Sequence, residues 1–189
     1  MIVGVTGGIG SGKSKVCKII QILGFPVFNA DVEAKTIYQN LDFINELKNR
    51  WDGVVVEDVV NLKSIAAIVF NQPDELSWLN SKIHPYVDSL FQQWMQKQRG
   101  DIFFKEAAIL VESGGYKKCD QIIVVEAPLQ ERIKRTVLRD TSNTEAIEQR
   151  IKNQITDEKR REYANFIVTN HQKLLVPQVL KILHTLQKS

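Results

Sequence analysis

The chain has 189 residues, 43% of them hydrophobic, which fits one folded domain with a substantial core. Its 25 Lys and Arg residues exceed its 22 Asp and Glu residues by only three, so a nucleic-acid-binding protein with a concentrated positive field is not expected. The two cysteines have no recognisable spacing, which argues against a disulfide scaffold. The sequence shows no signal-peptide pattern, and no apolar run approaches about 18 residues, which argues against a membrane span. We therefore expect a soluble, cytoplasmic protein.

The first motif along the chain is a short apolar run followed by the letters GGIGSGKS. The segment from Gly7 to Ser14 matches G-x-x-x-x-G-K-[ST], which is typical of a loop that wraps nucleotide phosphates. Lys13 is placed to bind those phosphates and Ser14 to ligate Mg²⁺, while the next helix directs its positive end at the anion. A plain glycine-rich turn is the alternative, but the agreement of strand, loop, lysine, hydroxyl and helix favours a phosphate site.

A second strand is predicted at Pro26 to Phe28, and Asp31 follows it. Ligands of open α/β sheets bind beyond the carboxyl ends of the strands, so Asp31 is a candidate functional carboxylate. The alternative is an N-cap for a helix over Val32 to Tyr38, and position alone favours the cap.

Helical periodicity dominates from about residue 42 to residue 100 and predicts a helical insert. An interruption is expected at His84-Pro85, because proline disrupts a helix interior. The aromatic stripe of the insert is more typical of a core than of a ligand site. His84, Tyr86 and Trp94 are candidate ligand contacts by location alone.

Later strand patterns occur at Ile102–Phe104 with Ala107–Val111, at Gln121–Val125 and at Asn165–Val168. Together with the earlier runs they predict an α/β protein whose five-stranded parallel sheet is covered by helices on both faces. Glu112 is expected at a strand end, where it either approaches Mg²⁺ or a second substrate, or faces solvent.

A basic helical stretch precedes the last strand and places Arg135 and Arg139 four residues apart on one helix face. Such a run is either a solvated surface or a phosphate-binding surface. The phosphate-binding loop (P-loop) at Gly7 to Ser14 puts the two interpretations on an equal footing. The polar letters DTSNT at residues 140–144 predict a turn in a mobile lid.

The missing N-K-x-D and D-x-x-G motifs argue against a switch GTPase, and the short chain argues against a motor, so a small-molecule kinase is expected. Further features occur in order, namely NAD at 29–31, HP at 84–85, Glu112, YKKCDQIIVV, ERIKRTVLRD, Gln154 and IVTN at 167–170. With the P-loop they resemble dephospho-CoA kinase over essentially the whole chain. The resemblance implies a three-layer P-loop kinase fold in one domain, with a helical acceptor-binding insert at about 32–100 and a helical lid at about 130–163.

The resemblance also implies the reaction, in which ATP with Mg²⁺ phosphorylates the ribose 3′-hydroxyl of dephospho-CoA to give coenzyme A and ADP. The catalytic residues it implies are Asp31, Lys13 and Arg139. The ATP-binding residues it implies are Gly8, Gly10, Ser11, Gly12, Lys13, Ser14, Lys15, Arg135 and Asn170, and Ser14 is also the metal ligand. We expect ATP and dephospho-CoA as partners, no nucleic acid or membrane, and a monomer or weak homo-oligomer.

The sequence departs from the family pattern at several positions. Asn29 replaces the first Asp of a D-A-D motif, and Lys15 replaces a common Thr. Ala108-Ile109-Leu110 replaces Pro-Leu-Leu. Two rival functions remain: a nucleoside or nucleoside-monophosphate kinase with another acceptor, and a nucleotide-binding module without turnover.

Overall fold

A computed structural model describes residues 1–140 and 144–188. The strands are β1 (Ile2–Thr6), β2 (Val27–Asn29), β3 (Val55–Val56), β4 (Val59–Val60), β5 (Phe103–Glu106), β6 (Gln121–Glu126) and β7 (Phe166–Thr169). The α-helices are α1 (Lys13–Ile22), α2 (Ala30–Glu33), α3 (Leu41–Arg50), α4 (Leu62–Asn71), α5 (Pro73–Gln96), α6 (Leu129–Asp140), α7 (Thr144–Lys152), α8 (Asp157–Arg161) and α9 (Leu175–Leu186). Two 3-10 helices span Ala34–Gln39 and Gly115–Lys118. The turn predicted at 140–144 falls mostly on residues 141–143, outside the described residues.

The chain forms two compact units, an α/β unit (Met1–Asn29 with Lys97–Ser189) and a helical unit (Ala30–Gln96). The sheet of the α/β unit has the strand order β2-β5-β1-β6-β7, and every neighbouring pair is parallel. This confirms the predicted five-stranded parallel sheet. Because the carboxyl ends of parallel strands meet at one edge, the P-loop after β1 lies between the ends of β5 and β6.

The core of the α/β unit explains why its sequence folds this way. Alternate residues of β1, Val3 and Val5, are fully buried on one face of the sheet. Val16 and Ile20, four residues apart on α1, are also fully buried and belong to the same cluster. One side of α9 completes this cluster with Val179, Ile182, Leu183 and Leu186.

One predicted strand is wrong in its second half. β5 ends at Glu106, and residues 108–114 form successive turns instead of a strand. Leu110 and Val111 are buried at 1% and 8% exposure, but Ile109 is 44% exposed, so the run is buried only in part and is not extended. Burial of a short apolar run does not distinguish a strand from a turn, and this is why periodicity misassigned it.

The helical unit confirms the predicted helical content and differs in two details. α5 continues through Pro85 where an interruption was predicted. Val55–Val56 and Val59–Val60 form an antiparallel hairpin that was not predicted. Its two turn residues, Glu57 and Asp58, have φ angles of 50° and 60°, which is unusual without glycine. Within the described ranges, no helix is both long and apolar enough to cross a membrane.

Candidate functional site

The loop after β1 leads directly into α1 and presents the amino end of this helix. α1 begins at Lys13, and the preceding residue, Gly12, has a left-handed backbone with φ of 98°. Gly12, the residue at the N-cap position, provides no side-chain cap. The Lys15 N–H already donates to the Gly12 carbonyl at 3.0 Å, and the positive end of the helix attracts an anion.

Close neighbours require glycine at several positions of this loop. An added Cβ would collide with the guanidinium group of Arg132 at Gly8 and with the Arg132 carbonyl at Gly10. At Gly12 it would collide with the side-chain amide of Asn170. A larger residue at these positions would displace the loop or the Arg132 and Asn170 side chains that pack on it, so its glycines allow this close packing.

The predicted lysine and hydroxyl both lie at the loop. Lys13 Nζ donates a hydrogen bond to the carbonyl of Gly7 at 2.9 Å, which holds the ammonium group beside the glycines. Ser14 Oγ donates to Glu106 Oε1 at 2.9 Å. Lys15 is exposed on the first turn of α1. A cation and a hydroxyl are therefore presented beside a helix amino end, as a phosphate site requires.

Glu106 is a functional candidate that sequence reasoning missed. It is the last residue of β5, is 5% exposed, and accepts a second hydrogen bond from Asn29 Nδ2 at 3.0 Å. Asn29 ends β2 and lies opposite Glu106 in the strand register. The signal in the sequence is an acidic residue that interrupts the apolar run between Phe104 and Ala107.

Cys17, one turn after Ser14, is also close to Glu106. The thiol hydrogen-bonds to this carboxylate and is only 3% exposed. Burial and the negative charge of Glu106 both raise the pKa of the Cys17 thiol. Cys17 is therefore protonated in the folded protein and behaves as the small packing residue expected in the first helix.

Arg135 and Asn170, both predicted to contact ATP, lie together beside the loop. Asn170 Nδ2 donates to the Ser11 carbonyl at 2.8 Å, and Arg135 Nη2 donates to the Asn170 carbonyl at 3.0 Å. Ser11 Oγ and Arg135 Nη1 are buried and have no hydrogen-bond partner within residues 1–140 and 144–188. Buried polar atoms are normally satisfied, so these two are candidates to contact a polar ligand.

Arg139 is in a different environment from Arg135. Its side chain is 63% exposed and makes two hydrogen bonds to the Asp140 carboxylate, at 2.6 and 3.1 Å. Arg150 Nη1 also donates to this carboxylate, at 3.0 Å. These hydrogen bonds lower the pKa of Asp140 to about 2 and keep it ionised. The predicted catalytic arginine is thus held by Asp140 and not by the loop.

Arg132 and Gln154 both bind the backbone of Ile9, at the tip of the loop. Gln154 Oε1 accepts from the Ile9 N–H at 2.8 Å, and Arg132 Nε donates to the Ile9 carbonyl at 2.9 Å. Asp157 bridges Arg132 and Arg160, with N–O distances of 2.7 and 2.8 Å. Both arginines are nearly fully buried, at 4% and 1% exposure, so this network joins the loop rigidly to α6 and α8.

Glu112 belongs to this network and not to a strand end as predicted. It lies in the turns after Glu106, and its Oε1 accepts from the Ile155 N–H at 3.3 Å and from Arg160 Nη2 at 3.4 Å. Through these contacts, Glu112 packs against α8 and the segment that precedes it. The prediction that it lies at a strand end is wrong, because the strand stops six residues earlier.

Asp31 lies in the helical unit, on the four-residue helix α2. The helix already begins at Ala30, so Asp31 is inside its first turn and the N-cap interpretation is wrong. The Asp31 side chain is exposed. Two of the candidate ligand contacts have partners in the same unit: the Tyr86 hydroxyl lies 2.9 Å from Thr36 Oγ1, and Trp94 stacks on a neighbouring phenylalanine at 5.9 Å.

Comparison with known proteins identifies relatives along the whole chain. A family model described as dephospho-CoA kinase matches residues 1–175. The dephospho-CoA kinase of Bacteroides fragilis is 39% identical over 188 residues, covering 96% of this chain and 90% of the relative.

Solved structures agree in fold. A crystal structure from Thermus thermophilus is 30% identical, with a TM-score of 0.91 and coverage of 98% of this chain and 96% of that chain. The dephospho-CoA kinase of Campylobacter jejuni is 27% identical, with a TM-score of 0.71 and coverage of 99% and 97%. The P-loop, the parallel sheet and these matches show that the chain belongs to the dephospho-CoA kinase family.

Proposed function

We propose that the chain transfers the γ-phosphoryl group of ATP to the ribose 3′-hydroxyl of dephospho-CoA, giving coenzyme A and ADP. The family membership supports the kinase activity, and the observation that carries the phosphate chemistry is the uncapped amino end of α1 with Lys13 and Ser14 beside it. We further propose that it works in the cytoplasm as a monomer or weak homo-oligomer, with neither nucleic acid nor membrane as a partner.

The nucleotide is bound in this proposal by Gly8 to Lys15 and by the pair of Arg135 and Asn170. Backbone N–H groups of the loop and the Lys13 ammonium hold the β- and γ-phosphates. The Ser11 hydroxyl and the Nη1 of Arg135, which have no partner among the described residues, are donors that the nucleotide satisfies.

Magnesium fits the donor set of this site. The Ser14 hydroxyl and the Glu106 carboxylate are adjacent hard oxygen groups, the ligand type that Mg²⁺ prefers. Ser14 would hold the ion, with Glu106 behind the serine. When bound, Mg²⁺ neutralises charge on the β- and γ-phosphate oxygens.

Asp31 and Arg139 complete the proposed reaction. Asp31 orients the 3′-hydroxyl and removes its proton as the phosphoryl group transfers. Arg139 leaves its exposed salt bridge with Asp140, binds the transferring phosphoryl group and stabilises the negative charge on that group. Because a salt bridge at this exposure is worth little, the exchange is energetically easy.

The test is ADP release by the purified protein with ATP and Mg²⁺, with dephospho-CoA, adenosine or AMP as the acceptor. We expect turnover with dephospho-CoA alone, and no turnover in a Lys13→Ala control that excludes contaminating kinases. Turnover with adenosine or AMP instead would leave the phosphate chemistry intact and refute the acceptor. ATP binding without turnover on any acceptor would favour a non-catalytic nucleotide-binding module.

A further inference from the structure

Two neighbouring strands of the α/β unit end in side chains that face each other. Asn29 ends β2 and Glu106 ends β5, and the register of the parallel pair places them opposite one another. The two carboxylate oxygens of Glu106 have different partners. Oε2 accepts from the Asn29 amide at 3.0 Å, and Oε1 accepts from the Ser14 hydroxyl at 2.9 Å.

Because Glu106 is buried, its stability depends on which groups donate hydrogen bonds to it. Glu106 is 5% exposed, and a carboxylate removed from water is costly unless it accepts hydrogen bonds. An asparagine amide supplies a donor without adding charge, whereas an aspartate of the same shape would supply only acceptors. An aspartate at position 29 would therefore replace the donor of the 3.0 Å hydrogen bond with a second acceptor facing Glu106.

The direction of the Ser14 hydrogen bond has a consequence for the oxygen. A hydroxyl has one proton and two lone pairs. Because Ser14 Oγ donates to Glu106 Oε1, the hydroxyl proton points at Glu106 and the lone pairs are left for other partners. A hydroxyl oxygen can ligate a cation only with its lone pairs, so this orientation prepares Ser14 for that role.

We propose that Asn29 and Glu106 form a matched amide–carboxylate pair that positions the Ser14 hydroxyl, with its proton directed at Glu106 and its lone pairs toward the Mg²⁺ that accompanies ATP. The inference rests on the proposed function for the binding of ATP with Mg²⁺, but not for the identity of the acceptor. Both members of the pair are positioning residues. The pair predicts that position 29 tolerates a carboxylate only when position 106 lacks one.

The experiment compares Asn29→Asp, Glu106→Gln and the double variant in which both changes are combined. Asn29→Asp places two carboxylates together and disturbs Ser14. In the double variant the amide nitrogen introduced at position 106 donates to the carboxylate introduced at position 29, and the amide oxygen at position 106 still accepts from Ser14. ATP affinity is measured by calorimetry with and without Mg²⁺. The Mg²⁺ dependence of kcat and KM with dephospho-CoA is measured in parallel.

We expect Asn29→Asp to weaken the Mg²⁺-dependent part of ATP binding by about 10- to 100-fold, the usual effect of losing a group that orients a metal ligand. Addition of Glu106→Gln should recover most of this loss. Asn61→Asp is the matched control, because it makes the same chemical change at an exposed N-cap of α4, where Asp is equally suitable.

Two results would overturn the pair: wild-type Mg²⁺ dependence in Asn29→Asp, or losses in the single variants that simply add in the double variant. ATP affinity without Mg²⁺ serves as the test of folding. If a single variant loses this affinity, the pair is supported when the double variant restores the affinity and refuted when it does not. If wild-type protein binds ATP with Mg²⁺ but does not phosphorylate dephospho-CoA, the acceptor assignment fails while the calorimetric test of the pair still stands.

Discussion

At the scale of a single residue, the proposed mechanism depends most on Asp31. It is exposed in the first turn of a four-residue helix and does not cap that helix. Its proposed role is that of the base toward the acceptor hydroxyl.

Asp31→Asn keeps the shape of the side chain and removes its basicity. Because general-base assistance is typically worth about 10²- to 10⁴-fold, we expect kcat to fall by that factor while the Kd for ATP changes little. Steady-state kinetics and nucleotide binding measure the two quantities. Asp42→Asn, on the first turn of α3, is the control and should leave kcat unchanged. Near-wild-type turnover of the Asp31 variant would remove this residue from the base role.

Cys17 allows a second prediction at this scale. Because burial and Glu106 raise the pKa of its thiol, the reactive thiolate is absent at ordinary pH. We expect iodoacetamide at a mildly alkaline pH to leave Cys17 unmodified in the folded protein and to modify it once guanidinium unfolds the chain. Mass spectrometry of the peptides detects the label, with the half-buried Cys119 as an internal comparison. Equal labelling of Cys17 in both states would contradict the buried, protonated thiol.

At the scale of elements, the P-loop depends on helices far from it in the sequence. Ile9 is bound by Arg132 of α6 and by Gln154, 123 and 145 residues away. Asp157 is the shared partner of the two buried arginines that hold α6 and α8. The shape of the loop is therefore a property of the α/β unit and not of the glycine motif alone.

Asp157→Asn tests this network. It removes the charge that pairs with Arg132 and Arg160 inside the protein, and we expect a loss of about 1.5–3 kcal/mol in the free energy of unfolding. Urea denaturation measures the change as a lower midpoint at an unchanged slope. The adjacent Glu158→Gln makes the same change in charge without the buried partners and should have little effect. Similar midpoints for the two variants would show that the network contributes nothing specific.

Sequence patterns predicted elements unequally, and particular residues show why. Apolar alternation in β1 and the helical spacing of Val16 and Ile20 were sufficient, because both report directly on a buried face. Pro85 was misleading, since α5 continues through it despite the lost backbone hydrogen bond. The apolar segment after Glu106 was misassigned because a turn that buries Leu110 and Val111 has the same composition as a short buried strand.

At the scale of the whole molecule, ATP should stabilise the fold. A ligand at 100 times its Kd adds about 2.7 kcal/mol, and for a chain of this length each kcal/mol raises Tm by about 2–4 °C. We therefore expect a rise of about 5–10 °C with saturating ATP and Mg²⁺, measured by calorimetric unfolding. Lys13→Ala should show a much smaller rise at the same ATP concentration. The absence of a shift in the wild-type protein at saturating ATP would argue against a preformed phosphate site.

The sequence by itself determined the parallel α/β fold, the phosphate loop and the family, because strand and helix periodicity and the P-loop are local patterns. It did not reveal how Ser14 is oriented or which carboxylate lies behind it. Glu106 meets Ser14 and Asn29 across separations of 92 and 77 residues; the register of β2 with β5 places Asn29, and the loop and helix after β1 place Ser14. Tertiary structure decided these contacts, because a hydrogen bond between distant residues depends on how the strands pair, which local patterns do not specify.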